Sequence, residues 1–449
     1  MKKIYTALLL LPLLVSGQTQ QQNHILSTVY KDSVSNPASV KTVVYFDGLG
    51  RPMQQRIIGQ SASGKDIVTH TEYDAQGRQP KEYLPFRSSS SSLEYSSSAL
   101  TDLLQYYASS SETQTGNPNF EATQYPYSEK EFEASPLERV LRQAAPGETW
   151  KLGSQGGDDH SIKIESRLNV AADMVKVFTA VAGTAANAQG YYNATFTRPV
   201  TRYGTYLAGE LYKTVMKNEN WEPGQPNPLA NTTEEFKDKL GRMILKRTYG
   251  ESLVNGTPVF ASHDTYYVYD QYGNLSFVVP PMSDSPATQL DQLCYQYRYD
   301  GRNRMVEKKL PGRPWEFIVY DKMNRIAATG PAPSPFGDGA LGWIVTKYDG
   351  MGRTAYTAWY DGTAAGTSAD RKAMQDAVNA SAQKVESRRT AGPSTIDGVS
   401  VTYSNEVFPK DNLKLLTASY YDDYTFDNAH PNPEMVLGKK VMATYKGMP

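Results

Sequence analysis

One short phrase, repeated along the chain, constrains the fold more than any other feature of the sequence. The phrase is Tyr-Asp-x-x-(Gly or Asn)-(Arg or Asn), and four copies begin at Tyr269, Tyr299, Tyr320 and Tyr348. Each copy follows a run of aromatic and β-branched residues, and at least three copies enter another such run. This pattern predicts a strand, a turn and a second strand. Three looser copies bring the total to seven and lie at 45–51, 73–78 and 236–242.

Two positions of the phrase predict the geometry of the turn. The fifth position is Gly or Asn, the residue types that most easily adopt positive φ. The Asp carboxylate can accept a hydrogen bond from a backbone N–H further along, as in an Asx turn. Together these features predict a type I turn that is closed by a left-handed residue and a β-bulge. The predicted structural turn residues are Asp47, Gly50, Asp74, Gly77, Asp238, Gly241, Asp270, Gly273, Asp300, Asn303, Asp321, Asn324, Asp349 and Gly352.

The spacing of the phrase indicates a repeat array. Successive Asp positions lie 21 to 32 residues apart, except for one gap of 164 residues. Such steps fall in the range of about 20 to 50 residues that is typical of repeat proteins, and their unevenness indicates an irregular array. A single hairpin is only marginally stable in water, so the hairpins must share a sheet. We therefore predict a mainly β fold, an irregular hairpin array that forms a curved sheet or a partial β-shell, with a few short helices.

The phrase resembles the tyrosine–aspartate (YD) repeat of the Rhs, or rearrangement hot spot, family. The part before the main repeat block, with residues 45–51 and 127–150, is similar to the leader domain that precedes such repeats in exported proteins of some Gram-negative bacteria. The resemblance extends over most of the chain. It implies a β-shell of the kind that encloses a C-terminal toxin domain or presents a surface for contact between cells. In the family, a segment with paired aspartates for self-cleavage follows the repeats, and we find no counterpart to it in this sequence.

The number of repeats bears on how the chain would work. Seven repeats are too few to close a container. We therefore expect either the N-terminal piece of a longer protein or the product of a degraded gene. On the first hypothesis the present chain is a non-enzymatic structural protein. Its partner is the missing C-terminal part of the longer chain.

The abundance of tyrosine suggests an alternative function. The chain has 32 Tyr against 13 Phe and 5 Trp. A Tyr ring with its polar tip suits a sheet that is half exposed to water, and the position of most rings in or beside the phrase favours cross-strand packing. Rings exposed in rows beside Asp, Asn or Arg would instead form a cell-surface carbohydrate-binding or adhesion module with a glycan ligand. An enzyme built on residues 149–228 is the least supported alternative.

The first residues have the pattern of a secretory signal peptide. Lys2 and Lys3 precede an apolar run at 7–15, and Ser16 and Gly17 are small. We predict cleavage after Gly17, no integral membrane segment after cleavage, and export through the Sec pathway to the periplasm, the cell surface or the exterior. The predicted organisation is a signal peptide at 1–17, a leader domain with two hairpins at 18–150, an inserted β-rich segment at 151–230, a repeat block at 231–361, and a helix with an incomplete β continuation at 362–449.

Outside the repeats, local signals predict three helices and several strands. Helices are expected at 99–108, at 135–143 after a Ser-Pro start signal, and at 368–387 with Ser368 as the cap. Residues 87–98, rich in serine, are a predicted loop. The other predicted strands lie around Ile162, at 174–179, at 203–216 and within 415–426.

Composition and motifs give little sign of ligand chemistry. Lys plus Arg number 46 and Asp plus Glu number 47, so no charge excess favours nucleic acid as a partner. Residues 59–66 fit G-x-x-x-x-G-K but end in Asp where a phosphate-binding loop requires Ser or Thr, which predicts a hairpin loop. The single cysteine, Cys294, is expected as a packed or surface residue of a strand.

Candidate catalytic and metal sites are equally few. The five histidines include no pair at metal-ligand spacing, and one cysteine excludes a thiolate zinc site. The best cluster is Asp158, Asp159 and His160, which we expect in a solvated loop. No Gly-x-Ser-x-Gly elbow occurs, although the paired carboxylates of a glycoside hydrolase can lie far apart in sequence. We predict no catalytic residue, no cofactor-binding residue, no metal ligand and no cofactor.

Overall fold

The structure is a computed structural model that divides the chain into two compact units. It describes residues 22–30, 39–108, 122–153, 159–197, 204–254, 256–283, 286–362, 364–389, 391–421, 426, 435–436 and 439–440. The first unit contains Met1–Ile164 and Lys217–Asn231, and the second contains Glu165–Met216 and Thr232–Pro449. The predicted signal peptide lies outside the described residues.

The described part of the chain is mainly β, which confirms the predicted fold class. The strands up to residue 168 are β1 Asn23–Tyr30, β2 Ser39–Phe46, β3 Pro52–Ile57, β4 Ile67–His70, β5 Lys81–Tyr83, β6 Phe86–Arg87, β7 Tyr127–Phe132, β8 Val140–Ala144 and β9 Ile162–Leu168. Those that follow are β10 Thr179–Ala182, β11 Ala194–Thr197, β12 Tyr212–Lys217, β13 Thr232–Lys237, β14 Met243–Val254, β15 Thr257–Tyr269, β16 Leu275–Val279, β17 Tyr295–Tyr299, β18 Met305–Lys309, β19 Trp315–Tyr320, β20 Ile326–Pro333, β21 Leu341–Tyr348, β22 Thr354–Tyr360, β23 Ser394–Ile396, β24 Val399–Val401, β25 Leu413–Ala418, β26 Met435–Val436 and β27 Lys439–Lys440. The described helices are α1 Ala99–Ala108, α2 Pro286–Leu293 and α3 Ser368–Ala380, with a short 3-10 helix at Ala171–Asp173.

The first unit contains a small antiparallel sheet covered by a helix. Its strands follow the order β1-β2-β3-β4-β6. In a second set, β5 pairs with β7, β7 with β8, and β8 with β9. Helix α1 contributes Leu103 and Tyr107 to a core that also contains Val68 and Phe86 of the sheet. Burial of this apolar face holds a ten-residue helix that would be marginal alone.

The second unit is a long antiparallel meander. Each strand from β13 to β22 pairs with its neighbours in sequence, and β25 pairs with the outer edge of β22. The meander follows from the phrase, because its turns join β13 to β14, β15 to β16, β17 to β18, β19 to β20 and β21 to β22. A tight turn between strands leaves antiparallel pairing of neighbours as the available topology.

Two apolar clusters form the core of the second unit. One contains Phe236, Leu245, Phe277 and Cys294 together with neighbouring buried side chains. The other contains Phe317, Trp343, Tyr356 and Met374, and it joins β19, β21 and β22 to α3. In β21 the alternating residues Trp343 and Val345 belong to the second cluster, as the two-residue period of a strand requires.

A buried ion pair ties α3 to the meander. The Arg371 Nε donates a hydrogen bond to the Glu307 Oε1 at 3.0 Å, and neither side chain is more than 2% exposed. Glu307 Oε2 accepts from Ser368 Oγ at 2.9 Å and from Arg298 at 2.8 Å. Arg371 also donates to the carbonyl of Gln189. The carboxylate is thus compensated on both oxygens, which burial of a charge demands.

Three local predictions are corrected. No helix forms at 135–143, because residues 133–139 make a wide turn in which Glu133 N–H donates to the Arg139 carbonyl at 2.9 Å, and β8 follows. Helix α3 ends at Ala380, and its cap is Thr367, whose side chain accepts from the Asp370 N–H. The strand expected at 174–179 lies later in the chain, because Met174 has φ of 49° and ends the 3-10 helix, so that β10 begins at Thr179.

The residues before β17 differ from the prediction too. Residues 286–293 form α2, and Cys294 lies between this helix and the strand, where it is fully buried. Burial raises the pKa of the Cys294 thiol. Cys294 is therefore a packed core residue, as expected, but it is not part of a strand.

Candidate functional site: the turn ladder

The seven phrases share one turn geometry. In each, the Asp N–H donates to the carbonyl four residues on at 2.8–3.0 Å, and the N–H of the Gly or Asn donates back to the Asp carbonyl at 2.9–3.1 Å. The Asp Oδ1 accepts from the N–H groups two and four residues later. One carboxylate oxygen therefore satisfies two backbone N–H groups of the turn that water would otherwise have to bind.

The fifth residue of every phrase has positive φ. The angle is between 78° and 83° at the glycines and is 56° at Asn303 and 62° at Asn324. The pairing register shifts at the strand residue before the Asp, for example between Lys347 and Tyr348. Such a shift is the bulge that accompanies this turn.

The last residue of the phrase links one turn to the next. Where it is Arg, its Nε donates to the Asp Oδ2 of its own turn at 2.7–2.9 Å. The same guanidinium lies 4.2–4.9 Å from the centre of a Tyr ring further along the chain, in the pairs Arg51–Tyr73, Arg242–Tyr269, Arg304–Tyr320, Arg325–Tyr348 and Arg353–Tyr421. Each of these is a cation–π contact. At Arg78 the ring belongs to Phe132 instead.

The Tyr hydroxyl closes the link. In four phrases, and at Tyr421 beyond the last phrase, it donates to the carbonyl of the residue directly after the preceding phrase, at 2.8–3.2 Å, in the pairs Tyr73–Pro52, Tyr299–Leu275, Tyr320–Met305, Tyr348–Ile326 and Tyr421–Thr354. We call this chain of Asp, Arg and Tyr contacts the turn ladder. In it the Asp, the Arg and the Tyr of one phrase all bind protein groups.

Charge states agree with these roles. Hydrogen bonds from the Arg51 backbone hold the pKa of Asp47 below its ordinary value, so this carboxylate stays an acceptor. Burial raises the pKa of Tyr299 to about 12, and burial also raises the pKa of Tyr348. Tyr299 and Tyr348 are therefore neutral donors at any physiological pH.

We predict that the glycine at the end of the turn is needed for its φ and not for space. Gly352 has φ of 82°, and an added Cβ would meet nothing closer than the Arg325 guanidinium at 3.8 Å. Gly352→Val should lower the free energy of unfolding by more than about 1 kcal/mol, because a β-branched residue is forced into the left-handed region. Gly352→Asn should change it little, since Asn occupies this position in two other turns. Thermal melts that show an equal loss for Asn and Val would contradict the assignment.

Sequence reasoning missed two further turns of the same shape. Asn187 replaces Asp in one, where its Oδ1 accepts from the N–H groups of Gln189 and Tyr191, and Gly190 has φ of 80°. Ser61 replaces Asp in the other, with Gly64 at φ of 70°. The signal was the polar residue followed three places later by glycine, without the Tyr. Tyr421 also occupies a ladder position, although the sequence after it does not show a complete phrase.

The segment that resembles a phosphate-binding loop is the connection between β3 and β4. Ser61 and Gly64 form its turn, as predicted for a hairpin loop. Asp66, in place of the magnesium-binding hydroxyl, is fully buried and accepts from Arg56 at 2.8 Å, from Ser91 Oγ at 2.6 Å and from two backbone N–H groups. These contacts fix the serine-rich loop to the sheet.

The Asp158–His160 cluster is not a solvated loop throughout. Asp158 lies outside the described residues, but Asp159 is 4% exposed and pairs with Arg142 at 3.2 Å and Lys163 at 3.5 Å. His160 Nδ1 lies 3.1 Å from the Glu219 carbonyl. The expectation of a solvated loop failed because Arg142 and Lys163 lie on β8 and β9, and these strands come together only in the folded chain. Both partners make Asp159 a structural residue.

Within the described ranges, no group of three His, Cys, Asp or Glu side chains is placed to hold a metal ion. None of the helices that the structure describes has the length and apolar character that a membrane crossing requires.

Comparisons with known proteins place part of the chain. Residues 18–164 match the family model of a domain of unknown function, DUF6443. No curated protein matches the sequence. Among solved structures, a TcdB2-TccC3-TEV crystal structure is similar over 92% of this chain and 18% of that chain, with 15% identity and a TM-score of 0.42.

Two other solved structures have comparable scores. A TcdB2-TccC3-Cdc42 structure matches 90% of this chain and 17% of that chain at 15% identity and a TM-score of 0.44. A mutant Tc holotoxin pore of Photorhabdus luminescens matches 77% of this chain and 14% of that chain at 16% identity and a TM-score of 0.41. This chain thus spans less than a fifth of the length of the chains that it matches.

Proposed function

We propose that this chain is a non-enzymatic structural protein, a wall segment of an Rhs-type YD-repeat β-shell that encloses or presents a C-terminal effector domain. The observation that carries the proposal is the turn ladder. The Asp of the repeated phrase binds the N–H groups of its own turn, and the Arg and the Tyr contact neighbouring turns. The residues that recur most often in the sequence therefore hold the sheet together. A reactive site built from the phrase itself would need at least one of these side chains to face a substrate.

The proposal extends to partner and location. The chain is exported through the Sec pathway, and its partner is the further part of a longer polypeptide that contains more repeats and the effector. A chain with one cysteine has no internal disulfide. In an exported location its stability would rest on packing, sheet hydrogen bonds and the ladder contacts.

The test is the length of the natural product. An antibody raised against residues 231–361 should detect, in the exported fraction of the source cells, a protein larger than the 49.8 kDa chain run beside it as a marker. Sequencing of the reading frame beyond the codon of residue 449 should show further repeats and a distinct terminal domain. A natural product no larger than 49.8 kDa, with a true stop codon after residue 449, would argue against the enclosing shell.

The carbohydrate-binding alternative has less support from the ladder. A ring covered by a guanidinium on one face, with its hydroxyl bonded to a carbonyl, offers a sugar little surface. Of the described Tyr residues, Tyr212 is 57% exposed and Tyr272 is 46% exposed. If the chain binds glycans, Tyr212→Ala and Tyr272→Ala should abolish binding on a glycan array while Tyr348→Ala, a ladder variant, should mainly lower thermal stability.

A further inference from the structure

A buried lysine lies against a side-chain amide in the second unit. Lys347 of β21 is 2% exposed, and its Nζ lies 3.4 Å from the Oδ1 of Asn405. The Nζ also donates to Glu386 Oε1 at 3.2 Å and to the carbonyls of Val407 and Pro409. An amine, an amide and an acid therefore meet in one enclosed place.

The acid is held in a fixed position. Glu386 is fully buried, and its Oε2 accepts from Ser404 Oγ at 2.7 Å and from the Glu406 N–H at 2.9 Å. The Oε1 accepts from the Val407 N–H at 3.0 Å and remains beside the amine. A carboxyl group at this distance from a nitrogen can take and return a proton.

The carbonyl oxygen of the Asn405 amide accepts hydrogen bonds from both the lysine and a tyrosine hydroxyl. Tyr356 lies directly opposite Lys347 in the β21–β22 pair, and its hydroxyl donates to Asn405 Oδ1 at 3.0 Å. The amide nitrogen of Asn405 donates to the Lys410 carbonyl at 2.6 Å. A donor on the carbonyl oxygen stabilises the negative charge that develops there when a nucleophile adds.

We propose that Lys347 and Asn405 form an intramolecular amide cross-link, with Glu386 as the proton carrier and Tyr356 as the donor to the oxyanion. The Nζ forms a bond to Asn405 Cγ, and the bond from Cγ to Nδ2 breaks. A proton leaves Nζ through Glu386 and reaches Nδ2, so that ammonia departs. One amide replaces another, and the step needs no oxidant, reductant or added reagent.

The environment favours the nucleophile. Burial lowers the pKa of Lys347 to about 8, against the opposing effect of Glu386, while Lys410 lowers it further. At pH 7 about a tenth of the amine is then neutral, the form that attacks. The enclosing carbonyls of Val407 and Pro409 can also hold a plain ammonium ion, and the experiment must separate that structural role from the reaction.

The decisive measurement is the mass of the folded full-length chain and of its tryptic peptides. The cross-link removes one ammonia, about 17 Da. Trypsin should fail to cut after Lys347 and should release a branched peptide that joins residues 326–353 to residues 390–410. Separate peptides 326–347 and 390–410, with no branched product and no mass loss, would overturn the proposal without reference to any variant.

Variants test the roles. Lys347→Met, Asn405→Ala and Glu386→Gln should each show only the mass change of the substitution and no loss of ammonia. Lys308→Met, at a half-exposed lysine of β18, should keep the loss and serves as the control. Persistence of the branched peptide in Asn405→Ala, or of the mass loss in Lys347→Met, would place the cross-link elsewhere and overturn this assignment.

Discussion

Replacing Glu307 with alanine is expected to lower the free energy of unfolding by about 3 to 5 kcal/mol, the cost of leaving a buried charge without its partner. Arg371 is the charge concerned, since its side chain is 2% exposed and its Nε has Glu307 as the carboxylate partner. The same substitution removes the acceptor of Ser368 Oγ and of Arg298. Helix α3 should therefore loosen from the sheet first.

Urea unfolding at pH 7 measures this effect, and a neighbouring pair supplies the control. Lys308 and Glu316 lie opposite each other on β18 and β19, each 39% exposed, with N and O 2.9 Å apart. Glu316→Ala should cost less than about 1 kcal/mol because water solvates the remaining charge. Equal losses of unfolding free energy for Glu307→Ala and Glu316→Ala would show that breaking the buried pair of Glu307 and Arg371 costs no more than breaking an exposed pair.

The second large effect is expected at Gly342 in β21. An added Cβ there would lie 2.4 Å from the Tyr360 carbonyl oxygen and 2.9 Å from the Trp359 ring. The backbone oxygen belongs to the paired strand and cannot move without disturbing the ladder of hydrogen bonds. Gly342→Ala should therefore cost about 3 kcal/mol, the upper part of the range for overpacked cores.

Gly350 provides the matched comparison for Gly342. A Cβ at Gly350 would have no heavy atom within 4 Å, and its φ lies outside the left-handed region. Gly350→Ala should leave stability unchanged or raise it by a few tenths of a kcal/mol, because alanine lowers the conformational entropy of the unfolded chain. Guanidinium unfolding curves that give the same free energy of unfolding for Gly342→Ala and Gly350→Ala would contradict this expectation. They would show that the strands move enough to accommodate the added Cβ at Gly342.

The turns could be predicted from the sequence because their causes are local. Asp349 accepts from N–H groups no more than four residues away, and Gly352 needs only its own φ. Helix α3 was visible for a similar reason, since its apolar stripe lies within thirteen residues. Local competition explains the failure at 135–143, where the ion pair of Arg139 with Glu133 and the pairing of β8 prevailed over the Ser-Pro start signal.

The buried polar groups could not be placed in the same way. Lys347 and Asn405 are 58 residues apart, and Arg371 is 64 residues from Glu307. The residues adjacent in sequence to Lys347 or Arg371 do not indicate the partner of either side chain, because strand order and helix packing determine which side chains meet. The cation–π contact of the Arg at the end of a phrase could not be predicted for the same reason, since the aromatic ring that it covers lies further along the chain.

The turn ladder also implies an order in which the hairpins complete their contacts, from the N terminus to the C terminus. The Arg of a phrase binds its own Asp at once, but its aromatic partner lies further toward the C terminus, as with Arg325 and Tyr348. During synthesis, a newly emerged hairpin thus lacks part of its contacts until the next hairpin appears. Each repeat acts as the template on which the next one closes, so folding should proceed vectorially, and a stalled chain should be weakest at its newest turn.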